Sequence, residues 1–358
     1  MADLKPITTI DEFEDEYRKG AGEILASATA SKQASLDNIR RAGDGMGDYN
    51  PLWRDPEYAA KSRFGGITAM PPFVYSASLG VGAAINGAIQ PSRVAGFAMN
   101  YAGGELEIFR PIWLGDTISV QERVGPVIRK ESGRIGPFCI CTGLVTYFNQ
   151  RQEVVATKRT LMARYKILAG GAGTIAYDRD SKGDVQQEAP DPLVWERERR
   201  GAETRYWEDV TEGDEMPTLK KGTYTVNELY LFTFGVLGTR RSTRAALGDR
   251  IESHGRFDAD YAKKRRSMPG QFDFGPQRVC WLSQLATDWM GDDGTLKKLV
   301  TQVRHPNLVG DTNTIYGTVA NKYVQDGEHL VELDVRNENQ SGTASAFARA
   351  TVALPSRA

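Results

Sequence analysis

Apolar positions in the second half of the chain fall into two periods. Within residues 276–290, Val279, Leu282, Ala286 and Trp289 recur at three- and four-residue steps, which predicts a helix. Pro276 suits its first turn and Gly291 stands just past its end. Downstream the period shortens, and strands are predicted over 312–324, 330–336 and 344–354. Asp326-Gly327 and Ser341-Gly342 sit where hairpin turns belong. Upstream, Thr225-Val-Asn-Glu228 opens a helix with a capping Thr and a Glu three residues later. A polar loop follows over 240–261. In the first half, residues 11–42 predict helix, with Glu12, Glu14 and Asp15 near the end where the dipole favours acids. Strands are predicted from 108 to 165, notably 117–124, 139–148 and 153–164, with turn residues at 131–134.

Residues 64–92 carry no charge, a stretch long enough to span a bilayer. Pro71-Pro72, Pro91, Asn86, Gln90 and many small residues argue instead for a helix buried in a protein core. The polar stretch 169–203 predicts a linker, so the expected domains are 1–168 and 204–358. Two landmarks recur across it. Arg110-Pro-Ile-Trp-Leu-Gly-Asp-Thr117 matches Arg304-His-Pro-Asn-Leu-Val-Gly-Asp-Thr312, and Asp48 is echoed by Asp249. Nearly equal offsets in the same order predict a duplicated unit of short helix, polar loop, central helix and antiparallel sheet.

Composition narrows the function. At 358 residues, with 40% hydrophobic and 25% charged positions, the chain is long enough for two globular domains. Lys+Arg is 45 against Asp+Glu 46, so the basic excess of a nucleic-acid-coating protein is missing. Cys139, Cys141 and Cys280 are too few for a disulfide framework and are expected to be free thiols in a reducing, cytoplasmic setting. The start has no apolar signal core. No dinucleotide, phosphate-loop or metal-ligand motif is present, so no cofactor or metal is expected, and no membrane or nucleic-acid partner.

The run Gly47-Asp-Tyr-Asn-Pro-Leu-Trp-Arg-Asp-Pro-Glu-Tyr-Ala59, then Phe64-Gly-Gly-Ile67, resembles the signature of MaoC-like dehydratases and (R)-specific enoyl-CoA hydratases. The resemblance covers both halves. It implies an α+β fold of two tandem hot-dog domains, each an antiparallel sheet wrapped around a central helix. It also implies an acyl-CoA substrate, with a second copy or a separate hot-dog subunit as the expected partner.

That family places a His five residues after its Asp. After Asp48 the position is Trp53; after Asp249 it is His254. Tyr261-Ala262 follows as Tyr58-Ala59 does, and Pro269-Gly-Gln-Phe-Asp-Phe-Gly275 leads into the central helix. The resemblance therefore implies chemistry in the second half: Asp249 and His254 as acid and base around one water, either giving or taking the proton. Gly275 N–H, at a helix N-terminus, is the expected oxyanion donor, and its missing Cβ would let a thioester approach. Gly270 is expected to line the substrate. Arg244, Lys263 and Lys264 flank the loop and are candidates for CoA phosphates. Asp48, Asp116 and Asp311 are expected to hold turns, His305 to be structural and His329 to be solvated. The first half is expected to shape a pocket for a bulky or long acyl tail. The expected reaction is hydration of a trans-2-enoyl-CoA; the rivals are a thioesterase and a non-catalytic acyl-CoA-binding subunit.

Overall fold

Thr9, Ser35 and Thr225 stand at the starts of three helices and Asp55 at that of a fourth, where short polar side chains suit the free N–H groups. The computed structural model describes residues 5–77, 88–89, 91–94, 96–133, 135–167, 199–237, 254–266 and 268–357, with backbone alone for 25–31, 91–92, 254–255 and 264–266. The first half runs α1 (Ile10–Lys19), β1 (Ile24–Gln33), α2 (Leu36–Met46), α3 (Pro56–Ala60), α4 (Val74–Ala77), then β2 (Phe97–Ile108), β3 (Thr117–Ser132), β4 (Gly136–Phe148) and β5 (Val154–Lys166). The second runs β6 (Leu219–Thr223), α5 (Val226–Phe232), α6 (His254–Phe257), α7 (Ala259–Arg266), α8 (Gly275–Met290), then β7 (Thr295–Val303), β8 (Thr312–Gln325), β9 (Glu328–Asn339) and β10 (Ala344–Ala353).

One ten-stranded sheet contains both halves, in the order β1-β3-β4-β5-β2-β7-β10-β9-β8-β6. The order within each half is the same, and antiparallel β2 and β7 form the seam. The duplication extends to individual hydrogen bonds. Asp116 accepts from Trp113 N–H and Gln150 Nε2, each at 2.8 Å; Asp311 accepts from Leu308 N–H at 2.7 Å and Gln340 Nε2 at 3.0 Å. Both aspartates hold turns, as expected.

The structure corrects the span 11–42, which is helix, strand β1 and helix. Thr9 and Glu12 form a capping box for α1, and Ser35 caps α2. Strands β2 and β7 add to the expected set. Gly103 and Gly104 interrupt the apolar alternation of β2, yet the seam needs them. A Cβ at Gly103 would lie 2.3 Å from Thr301 O, and one at Gly104 1.9 Å from Arg159 O. The capping box at Thr225, the helix ending at Met290 and the Asp326-Gly327 turn, with φ of 52° and 79°, are as expected. Every residue of α8 is buried. Where a central helix is expected in the first half, the described residues form α4; residues 78–87 lie outside the described residues. The three cysteines are free and buried.

Candidate functional site

In the first half Asp48 is fully engaged. Its Oδ1 accepts from Asn50 N–H at 3.1 Å and its Oδ2 from the indole Nε1–H of Trp53 at 3.1 Å. Both residues are buried. The indole thus takes the place of the missing imidazole as partner, but a Trp N–H only donates and cannot accept a proton. Asn50 caps the following turn through Leu52 N–H, and Asp55 caps α3 through Glu57 and Tyr58 N–H. The rest of the motif holds the halves together. Tyr58 O–H donates to Asp292 Oδ2 at 2.7 Å, and Arg63 donates to Asp292 O, Gly294 O and Thr295 Oγ1, just past α8.

The second half repeats the local cap. Asp258 Oδ1 accepts from Tyr261 N–H at 2.9 Å, and Ala262 is buried as Ala59 is. Counted back from this cap, Arg256 stands where Trp53 stands relative to Asp55; counted forward from Asp249, the equivalent is His254. The second loop is therefore two residues longer than the first. Arg256 Nε donates to Asp273 O at 3.1 Å, and its guanidinium lies 4.6 Å and 4.1 Å from the ring centres of Phe272 and Phe274. Sequence reasoning missed Arg256; the count from Asp258 would have found it.

Arg256 thereby braces the N-terminus of α8. Beneath it, Asp273 pairs with Arg278 at 2.9 Å, both almost fully buried. Asn307 donates to both Asp273 oxygens, and Arg278 donates to His305 O and Ser345 O. Burial raises the Asp273 carboxyl above its ordinary range, against the pull of Arg278. His305 contributes its carbonyl here, the structural role expected of it. Phe274 is the N-cap residue and Gly275 opens the helix. The space a Cβ would fill at Gly275 is occupied by the ring of Tyr101 from β2, 2.6 Å from that point. The missing Cβ therefore admits a neighbouring side chain, a correction to the reason expected from sequence.

Asp249 and Arg244 lie outside the described residues. His254 begins α6, and Lys264 lies on α7, both described by backbone alone. Lys263 is exposed on α7; Gly270 is half-buried, with open space around its Cα. His329 is half-buried, edge-on to Trp207 at 5.1 Å, rather than solvated. A cavity of about 100 Å³ opens at the far end of α8, beside Leu285, Asp288 and Trp289, away from Gly275. Among the described residues, no three His, Cys, Asp or Glu are grouped to hold a metal, and no helix is long and apolar enough to cross a membrane.

Comparison with known proteins agrees with this architecture. Residues 26–158 match the family of FAS1-like dehydratase domain regions. A Thermomonospora curvata protein named "Probable enoyl-CoA hydratase alpha subunit" is 28% identical over 172 residues, 44% of this chain and 53% of that one. The match thus spans about half of that relative's length. A solved MaoC-like dehydratase superposes with a TM-score of 0.69 at 17% identity, covering 95% of this chain and 99% of that one. A Mycobacterium tuberculosis protein described as having a double hot-dog fold gives 0.55 at 15%, covering 94% and 97%. The full-length peroxisomal multifunctional enzyme type 2 of Drosophila melanogaster gives 0.53 at 12%, covering 99% and 54%. The chain has a double hot-dog fold, an α+β architecture. That fold is shared with MaoC-like dehydratases.

Proposed function

We propose that the protein is a hydratase/dehydratase of trans-2-enoyl-CoA esters, with its chemistry in the second half. The observation that carries this is the contrast between the two motif loops. In the first, Trp53 ties up Asp48; in the second, Asp249 and His254 keep the five-residue spacing in the sequence.

Hydration places the water oxygen on C3 and a proton on C2. Asp249 and His254 hold the water between them; one takes its proton while the other supplies the proton at C2. Negative charge that builds on the thioester oxygen meets the Gly275 N–H at the helix N-terminus. Arg244, Lys263, Lys264 and Gly270 are the candidate contacts to the CoA portion. The name of the T. curvata relative denotes a subunit, which favours a second reading: an acyl-CoA-binding subunit that needs a hot-dog partner. The position of Arg256 supports that reading too.

The test follows enoyl-thioester absorbance over a panel of CoA esters. Wild-type turnover without free thiol is expected, falling at least about 100-fold in Asp249→Asn and His254→Ala. Turnover that survives in both variants overturns the site. Free thiol would mark a thioesterase. Binding without turnover would favour the subunit reading.

A further inference from the structure

The two copies differ where the chain enters α4 and α8. Hydrogen bonds align them: Ala69 N–H donates to Ile112 O at 2.8 Å and Asp273 N–H to Asn307 O at 2.9 Å. The bridges Thr68–Trp113 and Phe272–Leu308 give the same register. Counted on from there, Gly275 corresponds to Pro71. A proline nitrogen carries no hydrogen. The first half therefore cannot offer an N–H at the position where the second half has one. The caps at Asp55 and Asp258 likewise equate Trp53 with Arg256.

The surrounding residues differ in the same sense. Ala69, Val74 and Ile112 are buried in the first half; their counterparts Asp273, Arg278 and Asn307 are buried too. The first copy thus closes this turn without charge. The second includes an ion pair, whose burial is costly before the partners offset it. The cluster holds Asp273 from both ends. Arg278 and Asn307 hold its carboxylate, and Arg256 Nε donates to its carbonyl at 3.1 Å. The Arg256 guanidinium lies 4.1 Å from the centre of the Phe274 ring, and Gln271 Nε2 donates to Arg256 O at 3.0 Å. Both neighbours of the Phe274–Gly275 peptide are fixed in this way: the preceding carbonyl and the Phe274 side chain. That peptide carries the Gly275 N–H. At the first position of α8, this N–H has no acceptor within the helix.

We propose that Arg256 is a positioning residue for the thioester oxygen: through the Asp273 carbonyl and the Phe274 ring it fixes the plane of the peptide that presents the Gly275 N–H. This rests on the reading that places the thioester at Gly275. A donor held in advance needs no reorganisation as charge builds on the oxygen. A planar guanidinium suits the task, because it donates to a carbonyl and stacks on a ring at once. The copy without the N–H has neither the arginine nor the ion pair. Trp53, in the place of Arg256, donates to its own loop instead.

Acetoacetyl-CoA tests this by binding, without turnover. Loss of a C2 proton to solvent gives its enolate, whose charge rests on the ketone and thioester oxygens and whose ultraviolet band reports it. Titrated at saturating protein, wild type is expected to form the enolate at lower pH than the free ester does, because a fixed donor favours the charged form. Arg256→Gln should make enolate formation about tenfold less favourable at a given pH, read as an apparent pKa about one higher. Its Kd for the neutral ester at low pH should stay within about threefold of wild type. Arg256→Lys should recover part of the effect, and carries the test if Arg256→Gln does not fold. Trp53→Phe, at the equivalent position, should match wild type. An unchanged enolate pKa in the folded Arg256 variants overturns the proposal and leaves the thioester at Gly275. An equal change in Trp53→Phe would mark general loosening and overturn it too. If wild type itself leaves the enolate pKa at its free value, the reading that puts the thioester at Gly275 fails, and this proposal with it.

Discussion

At the scale of single residues, one indole separates the two halves. Trp53 donates to Asp48 through an indole N–H that cannot become an acceptor, so the first loop keeps its shape without an imidazole. Trp53→Phe keeps most of the ring and removes that donor. It is expected to destabilise the protein by about 1–3 kcal/mol in urea unfolding, because Asp48 is left one hydrogen bond short in a buried site. Turnover should persist in folded Trp53→Phe and in Asp48→Asn. Loss of turnover in folded Asp48→Asn would place the chemistry in the first half.

At the scale of elements, two local arrangements hold α8 and the seam. The buried Asp273–Arg278 pair anchors the start of α8. Asp273 binds its proton more tightly folded than unfolded, since burial raises its carboxyl. Its contribution to stability therefore falls as pH rises from the ordinary carboxylate range through the raised value. Arg278→Leu removes the opposing charge and should raise that carboxyl further. The variant is expected to lose about 3–5 kcal/mol at neutral pH and less at pH 5, read by urea unfolding. Equal losses at both pH values would refute the assignment. At the seam, Gly104 has φ of 155° and no room for a Cβ. Gly104→Ala should cost about 3 kcal/mol or more, from backbone strain and overlap with Arg159 O. Gly66→Ala, with open space at its Cα, should stay within about 0.5 kcal/mol of wild type.

At the scale of the whole molecule, the halves share a sheet and a core. The principal hydrophobic cluster includes Ile39, Phe73 and Tyr147 of the first half with Phe232, Trp281 and Leu333 of the second. A single cooperative unfolding transition, coincident by fluorescence and far-ultraviolet dichroism, is the expected outcome. Two separated transitions would mean that the seam carries little energy. Much of this architecture was legible in the residues. The turns at Asp116 and Asp311, the cap at Thr225, the helix after Pro276 and the second-half hairpins all depend on contacts within a few positions, which local patterns encode. The duplication was legible because both copies kept their turn residues. Strand β1 was hidden inside a stretch with helical ends. Strand β2 was masked by Gly103-Gly104, which serve a neighbour distant in sequence. The Tyr101 ring over Gly275 and Arg256 against Phe274 also join positions apart in the chain. The sequence by itself determined the repeat and the turn chemistry, since these rest on residue identity and short spacing. The tertiary structure alone decided what fills the space at the helix N-terminus, because long-range packing sets it.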